Sequence, residues 1–66
     1  MNGKALYDLY RKEPPARTHM SGHSCAYWQG YDDIPFKHVR GSYAWWANKA
    51  GKDNRKEADR ANRKGN

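Results

Sequence analysis

Aliphatic side chains are scarce in this 66-residue chain, which has two Leu, one Ile and one Val beside a single Phe. These types fall far below the roughly 20% that is usual in folded domains. A chain of this length also buries only about 60% of the surface that it exposes when unfolded. Five Tyr and three Trp compensate in part. One small domain spanning residues 1–66 therefore has to build its core from aromatic rings and alanines.

Cysteine and long apolar runs are equally scarce. The single cysteine, Cys25, excludes an internal disulfide. No segment approaches the roughly 18 apolar residues of a membrane span, and residues 1–4 lack the apolar stretch of a secretory signal. We therefore expect a cytoplasmic protein that does not engage a membrane.

Catalytic groupings are also missing. No nucleophile, base and orienting group can be assembled with any specificity, and the chain is too short for a substrate pocket with a supporting layer behind it. We expect no enzymatic activity, no cofactor and no small-molecule substrate. The pair Asp32-Asp33 precedes Pro35 and predicts a turn or a helix end.

Positive charge is plentiful but unevenly distributed. Thirteen Lys and Arg against seven Asp and Glu give a net charge of +6. Residues 1–33 carry four basic and four acidic groups, whereas residues 34–66 carry nine basic and three acidic ones. This asymmetry favours a polyanionic partner for the second half, bound through phosphate contacts and counterion release. A soluble, solvated basic tail is the alternative.

Apolar spacing predicts two helices in the first half. In residues 2–12, Asn2 is a candidate N-cap and the apolar side chains recur three and four residues apart, up to the stop at Pro14-Pro15. Residues 13–24 are predicted to form a linker or loop. A second short helix follows, with Ser24 as its candidate N-cap, and Pro35 closes that segment.

A third, longer helix is predicted from Ser42 as N-cap. Its apolar stripe comprises Tyr43, Trp46, Ala47, Ala50, Asn54, Ala58 and Ala61. Gly51 leaves two alternatives: one helix to about residue 63, or a helix that ends there and a second one capped by Asn54. Beyond Ala50 the stripe offers only alanine to pack, so we expect the end of the basic helical extension, residues 52–66, to fray or to extend into solvent unless a partner holds it.

The predicted fold class is therefore all-α, a small domain of two to three short helices with an aromatic core and a basic C-terminal helix. Part of the first helix is expected in that core. The aromatic residues assigned to it are Tyr27, Tyr31, Phe36, Tyr43 and Trp46.

The basic side chains of the third helix are the main candidate site. They recur at three- and four-residue steps, which suits a row of phosphates in a groove or along an RNA backbone. Trp45 points about 100° away from Trp46 and is expected to be partly exposed, able to stack a base, anchor a protein interface or complete the core. The predicted nucleic-acid-binding residues are Lys37, Arg40, Trp45, Lys49, Lys52, Arg55, Lys56, Arg60 and Arg63.

Three histidines and the cysteine could in principle hold a metal ion. His19, His23 and Cys25 are closely spaced, and His38 follows thirteen residues after the cysteine. One cysteine with three histidines matches no common structural zinc pattern. We therefore predict no metal site, although the sequence leaves open whether these four side chains bind one.

The middle of the chain resembles a known family. Ala26-Tyr27-x-x-Gly30, then Pro35-Phe36, then Trp45 ten positions after the proline, resemble the ribosome modulation factor family of short, basic, largely helical bacterial and phage proteins. The resemblance covers roughly residues 26–49. It implies binding to ribosomal RNA on the small subunit, with blocked initiation and ribosome pairing in resting cells.

Two departures from that family's pattern stand in this sequence. The family usually has cysteine before the proline, where this chain has Ile34. It often has a Gly-Trp pair soon after the tryptophan, where this chain has Ala47-Asn48-Lys49. The family residues that carry over are Tyr27, Gly30, Pro35, Phe36 and Trp45.

The predicted function is a noncatalytic module that binds RNA or the ribosome and modulates translation. The alternative is a small inhibitor or adaptor, of the kind that phages encode, docking on a host enzyme through Trp45, Trp28 and the tyrosines. A DNA-binding accessory protein is a third hypothesis that the sequence does not separate from RNA binding. Oligomeric state and the identity of the partner also stay open.

Overall fold

The structure, a computed structural model, describes residues 2–18 and 21–64, with only the backbone described at 63 and 64. Three helices make up its regular structure: α1 (Gly3–Lys12), α2 (Gly22–Tyr31) and α3 (Tyr43–Lys64). The all-α class is confirmed, and no described residue lies in a β-strand. No helix in the described part of the chain is long and apolar enough to span a membrane.

Helix α1 begins and ends as its sequence predicts. The Asn2 side chain accepts a hydrogen bond from the Ala5 amide at 2.8 Å, and Glu13 ends the helix just before the two prolines. Leu6 is buried, whereas Leu9 remains 43% exposed. Because so short a helix is marginal alone in water, its stability depends on the face that it packs against α3.

Helix α2 begins earlier than predicted. Ser21, not Ser24, is the N-cap, and the two serines form a capping box in which each side chain bonds the other's backbone. The predicted loop of residues 13–24 therefore ends at Ser21. The box does not stand out in the sequence because the residue at its third helical position is Ser24, where Glu or Gln is usual.

The end of α2 is a left-handed cap. Asp33 has φ +59°, the Asp33 amide donates to the Gly30 carbonyl at 3.3 Å, and the Ile34 amide donates to the Gln29 carbonyl at 2.8 Å. This pair of bonds is the Schellman arrangement. The predicted helix end before Pro35 is confirmed.

Helix α3 runs without a break through Gly51, so the alternative of two shorter helices is wrong. Gly51 lies where α3 meets α2: a Cβ built on it would be 1.9 Å from the Tyr27 carbonyl oxygen. Gly30 of α2 lies equally close to α3, at 2.2 Å from a built Cβ to the Asn48 carbonyl oxygen. The glycines mark a close helix crossing here and not a chain break.

All three helices run in broadly the same direction. Gly3 at the start of α1 lies against the Trp46 ring, and Arg11 at its end bonds Glu57 farther along α3. The start and end of α2 likewise meet Tyr43 and Arg55 of α3. The α2–α3 loop (residues 32–42) must therefore run back alongside the helices.

The core is smaller and more polar than predicted. Tyr27 is fully buried beside Ala26, Ala47 and Ala50, with Leu6 completing the cluster. Asn54 links the helices there, since its Nδ2 donates to the Tyr27 hydroxyl at 2.8 Å and to the Tyr10 carbonyl at 3.1 Å. Burial raises the pKa of Tyr27.

Two of the five predicted core aromatics lie outside it. Phe36 is 56% exposed because it lies in the α2–α3 loop, which no helix covers. Tyr43 is 42% exposed because it is the first residue of α3, at the edge of the bundle, where it meets the His23 ring. Tyr31 and Trp46 are half-buried.

Polar contacts hold α3 beyond Ala50, its last buried alanine. The Tyr7 hydroxyl donates to Asp53, which raises the pKa of Tyr7, and Arg11 bonds both Asn54 and Glu57. These contacts fix the first half of the predicted extension of residues 52–66 against α1. Its last two residues lie outside the described chain.

Candidate nucleic-acid interface

Helix α3 has one long face that neither neighbouring helix covers. Helix α1 packs on the side that carries Trp46, Asp53 and Glu57, and α2 packs on the adjacent side that carries Asn48 and Gly51. The uncovered side, here called the outer face of α3, follows three- and four-residue steps along the helix. It is formed by Trp45, Lys49, Lys52, Lys56 and Arg60.

The cations of this region are not equivalent. Lys49 Nζ lies 3.7 Å from the Asp53 carboxylate and 5.9 Å from the centre of the Tyr7 ring. Exposed Lys52, Lys56 and Arg60 have no carboxylate within 4 Å among residues 2–18 and 21–62. These three carry the charge that is available to an external anion.

Arg55 lies at the edge of the outer face and is engaged inside the protein. Its Nε donates to Asp59 at 3.1 Å and its Nη1 to the Tyr31 carbonyl at 3.1 Å, while the guanidinium lies 5.6 Å from the Tyr31 ring centre. It thereby caps the end of α2. Arg63 falls on the same helical stripe as Lys56, but its side chain lies outside the described residues.

Trp45 is half-buried, with its ring edge-on to Trp46 at 4.8 Å between centres. Trp46 in turn meets Tyr7 edge-on at 5.7 Å. Trp45 thus packs against a ring of the α1–α3 interface and is still partly exposed at the surface. This arrangement suits a rigid stacking platform or an interface anchor.

Lys37 and Arg40 are exposed in the α2–α3 loop, apart from the outer face. His38 ties this loop to α2 through Gln29, at 3.2 Å between Nε2 and Oε1. The same loop exposes apolar side chains: Ile34 at 49%, Phe36 at 56% and Val39 at 79%. The loop is therefore a second exposed surface, mixed in character.

A groove runs between the last turn of α2 and α3, with a volume of about 390 Å³. It is here called the α2–α3 groove. Helix α3 contributes three cations and one carboxylate to it, and the end of α2 contributes a glycine and a second carboxylate. Its lining residues are Gly30, Asp33, Lys52, Arg55, Lys56 and Asp59. Sequence reasoning missed this groove because nothing in the local pattern places residue 33 beside residues 52–59.

Trp28, predicted as a docking anchor in the alternative function, is half-buried and contacts the segment before α2. Its Nε1 donates to the Pro15 carbonyl at 3.1 Å, and the Arg17 guanidinium lies 4.0 Å from the centre of its ring. Arg17 also bonds both oxygens of Asp32, at 2.9 and 3.0 Å. These bonds lower the pKa of Asp32 and raise that of Arg17.

The residues of the family resemblance divide between core and surface. Tyr27 and Gly30 are buried in the α2–α3 packing, where they determine how close the two helices lie. Pro35 and Phe36 are exposed in the α2–α3 loop, and Trp45 lies in the first turn of α3. Only the last three are accessible to a partner.

The histidines and the cysteine do not assemble. His23 meets Tyr43, His38 meets Gln29 and Phe36, and Cys25 is exposed. Within the described ranges no three His, Cys, Asp or Glu side chains converge as ligands for a metal ion. His19 lies outside those ranges.

Comparison with known proteins finds no matching family model, no matching curated protein and no matching solved structure.

Proposed function

We propose that this protein is a noncatalytic RNA-binding module that contacts ribosomal RNA through the outer face of α3 and thereby modulates translation. The observation that carries the proposal is the position of Lys52, Lys56 and Arg60 on the one side of α3 that α1 and α2 leave open. Helical spacing sets these cations along a line about 12 Å long. A line of cations matches a phosphate backbone better than it matches a single small anion.

Internal pairing supports this assignment. The first half of the chain is neutral, and its cations Arg11 and Arg17 are bonded to carboxylates. The α3 cations without carboxylate partners lie together, beside a partly exposed indole. Phosphate contacts would supply affinity, and Trp45 would stack an unpaired base, an interaction typically worth about 1–3 kcal/mol.

The ribosome as partner rests on the resemblance to the ribosome modulation factor family. The accessible residues that carry that resemblance are Pro35, Phe36 and Trp45. A lysate sedimented through sucrose at low and high salt, with and without ribonuclease, tests it. We expect co-migration with ribosomal particles at low salt that is lost at high salt; protein that stays at the top of both gradients would contradict the ribosome proposal.

The phosphate contacts are tested by the salt dependence of RNA binding. Four or five contacts to a single strand set a slope of about −3 to −3.5 in log K against log salt. Replacing Lys52 and Lys56 by Gln should make that slope shallower by about 1.4, since each contact to a single strand contributes about 0.7. The matched control is Lys4→Gln with Lys12→Gln, which removes the same charge from α1. Equal effects of both pairs would show that net charge, and not the outer face, determines binding.

A second function is favoured by the exposed Ile34, Phe36 and Val39: docking on a host protein, as an inhibitor or adaptor. Exposed apolar side chains within one loop are typical of protein interfaces. Phe36→Ala would then abolish activity, whereas the double glutamine variant would retain it at moderate salt. A DNA partner would use the same outer face as RNA, and competition between equal lengths of single-stranded RNA and DNA separates the two.

A further inference from the structure

The α2–α3 groove combines features that the outer face lacks. Its volume of about 390 Å³ falls in the range of small-molecule sites. Gly30 lines it without a side chain, so the groove approaches the backbone of α2. Two of its lining residues, Lys52 and Lys56, also belong to the outer face of α3. An RNA strand bound along that face would therefore pass the opening of the groove.

Arg55 presents a planar group that is already held in place. Asp59 bonds it from one direction and the Tyr31 carbonyl from another, and the Tyr31 ring lies under the guanidinium at 5.6 Å. Despite these bonds, the side chain remains 46% exposed. A guanidinium plane is a stacking surface for an unpaired base, and holding it in advance removes the entropy cost of ordering it on binding.

Asp33 supplies an acceptor in the same groove. The left-handed cap of α2 determines its position, and among the described residues no cation lies within 4 Å of its carboxylate. Asp59, the other carboxylate, is already bonded to Arg55. A free carboxylate on a phosphate-binding surface repels the backbone, so its chemistry suits the donor groups of a base edge.

We propose that the α2–α3 groove binds one unpaired guanine of an RNA strand; this inference rests on the proposed RNA-binding function. The base stacks on Arg55, its N1–H and N2–H donate to the two oxygens of Asp33, and Lys52 and Lys56 hold the flanking phosphates. Guanine is the base whose Watson–Crick edge presents two adjacent donors, which match the two oxygens of one carboxylate.

The test measures base preference, not affinity alone. Fluorescence anisotropy at low salt compares labelled U8 with octamers in which one central uridine is replaced by guanosine, inosine, cytidine or adenosine. We expect the guanosine octamer to bind about tenfold tighter than U8, the scale of one bidentate carboxylate or guanidinium contact to a base. Inosine, which lacks the N2 amino group, should fall between the two.

Two variants make the test specific to Asp33. Asp33→Asn keeps the shape and tolerates the left-handed backbone, but it replaces one acceptor by a donor, so the guanosine preference should fall to within twofold. Asp8→Asn makes the same charge change on α1, which contributes no lining residue to the groove, and its preference should equal that of the wild type.

The outcomes separate this inference from the proposed function. Octamers bound equally by the wild type, or a guanosine preference that survives Asp33→Asn, would overturn the guanine site and leave RNA binding in place. Failure of every octamer to bind, together with no ribosomal co-migration, would overturn both.

Discussion

The close approach at Gly51 makes a specific prediction about stability. Replacing this glycine by alanine in a free helix would stabilise the helix by about 1 kcal/mol. Here the new Cβ would lie 1.9 Å from the Tyr27 carbonyl oxygen and 2.9 Å from the Tyr31 amide nitrogen. Real Cβ contacts essentially never fall below 3.0 Å, and both neighbours are backbone atoms that cannot change rotamer. Helix α3 must therefore move away from α2 by roughly 1 Å.

The cost of that movement follows from what the crossing buries. Tyr27, Ala26, Ala47 and Ala50 are at most 1% exposed, and a gap of about 1 Å forfeits a quarter to a half of their dispersion contacts. Asn48 Nδ2, which donates to the Ala26 carbonyl at 3.0 Å, would lose its partner in a buried site, at about 1–3 kcal/mol. After the gain in helix propensity, we expect a net loss of about 2–3 kcal/mol in the free energy of unfolding.

That loss is large for a domain of this size. A 66-residue chain has a total stability of roughly 3–10 kcal/mol, and the midpoint of thermal unfolding should fall by about 10–20 °C. Circular dichroism at 222 nm with heat and with urea measures it. Gly22→Ala is the matched control, because a Cβ at that position meets nothing within 4 Å. If Gly51→Ala unfolds at or above the midpoint of the control, the close crossing is wrong.

Three further substitutions test other parts of the fold. Asn54→Ala removes the bond to the buried Tyr27 hydroxyl and should lower the unfolding free energy by about 2–3 kcal/mol. Its control is Asn62→Ala at an exposed position, which should lower the unfolding free energy by less than about 0.5 kcal/mol in the same urea titration. Asp33→Gly relieves a left-handed backbone and should raise the unfolding free energy by about 0.5 kcal/mol; a decrease would show that the aspartate side chain stabilises the cap. The pKa of Asp32 is lower in the folded chain than in the unfolded one, so its contribution is complete above the unfolded pKa and is lost as pH falls below about 4. The thermal midpoint should accordingly drop less between pH 6 and pH 3 in Asp32→Asn than in the wild type, and identical drops would contradict that shift.

Local signals in the sequence determined α1, the start of α3 and the end of α2. Asn2 and Ser42 cap their helices through their own side chains, and the two prolines stop α1 by removing backbone donors and restricting the residue before them. The run of cations at helical spacing likewise predicted which residues of α3 share a stripe. In each case the cause lies within a few residues along the chain.

Only the tertiary structure decided the rest, because the deciding partners are distant in sequence. Gly51 lies inside a helix because the backbone of α2 packs against it. Helix propensities along the sequence carry no information about that contact. Phe36 is exposed because the loop that carries it has no helix above it. Lys52 and Lys56 remain available for an anion, whereas Arg55 is bonded to Asp59 and to the Tyr31 carbonyl at the end of α2. The sequence by itself determined the helical class, several helix ends and the sign of the charge, and the packing of the helices decided which charges face outward.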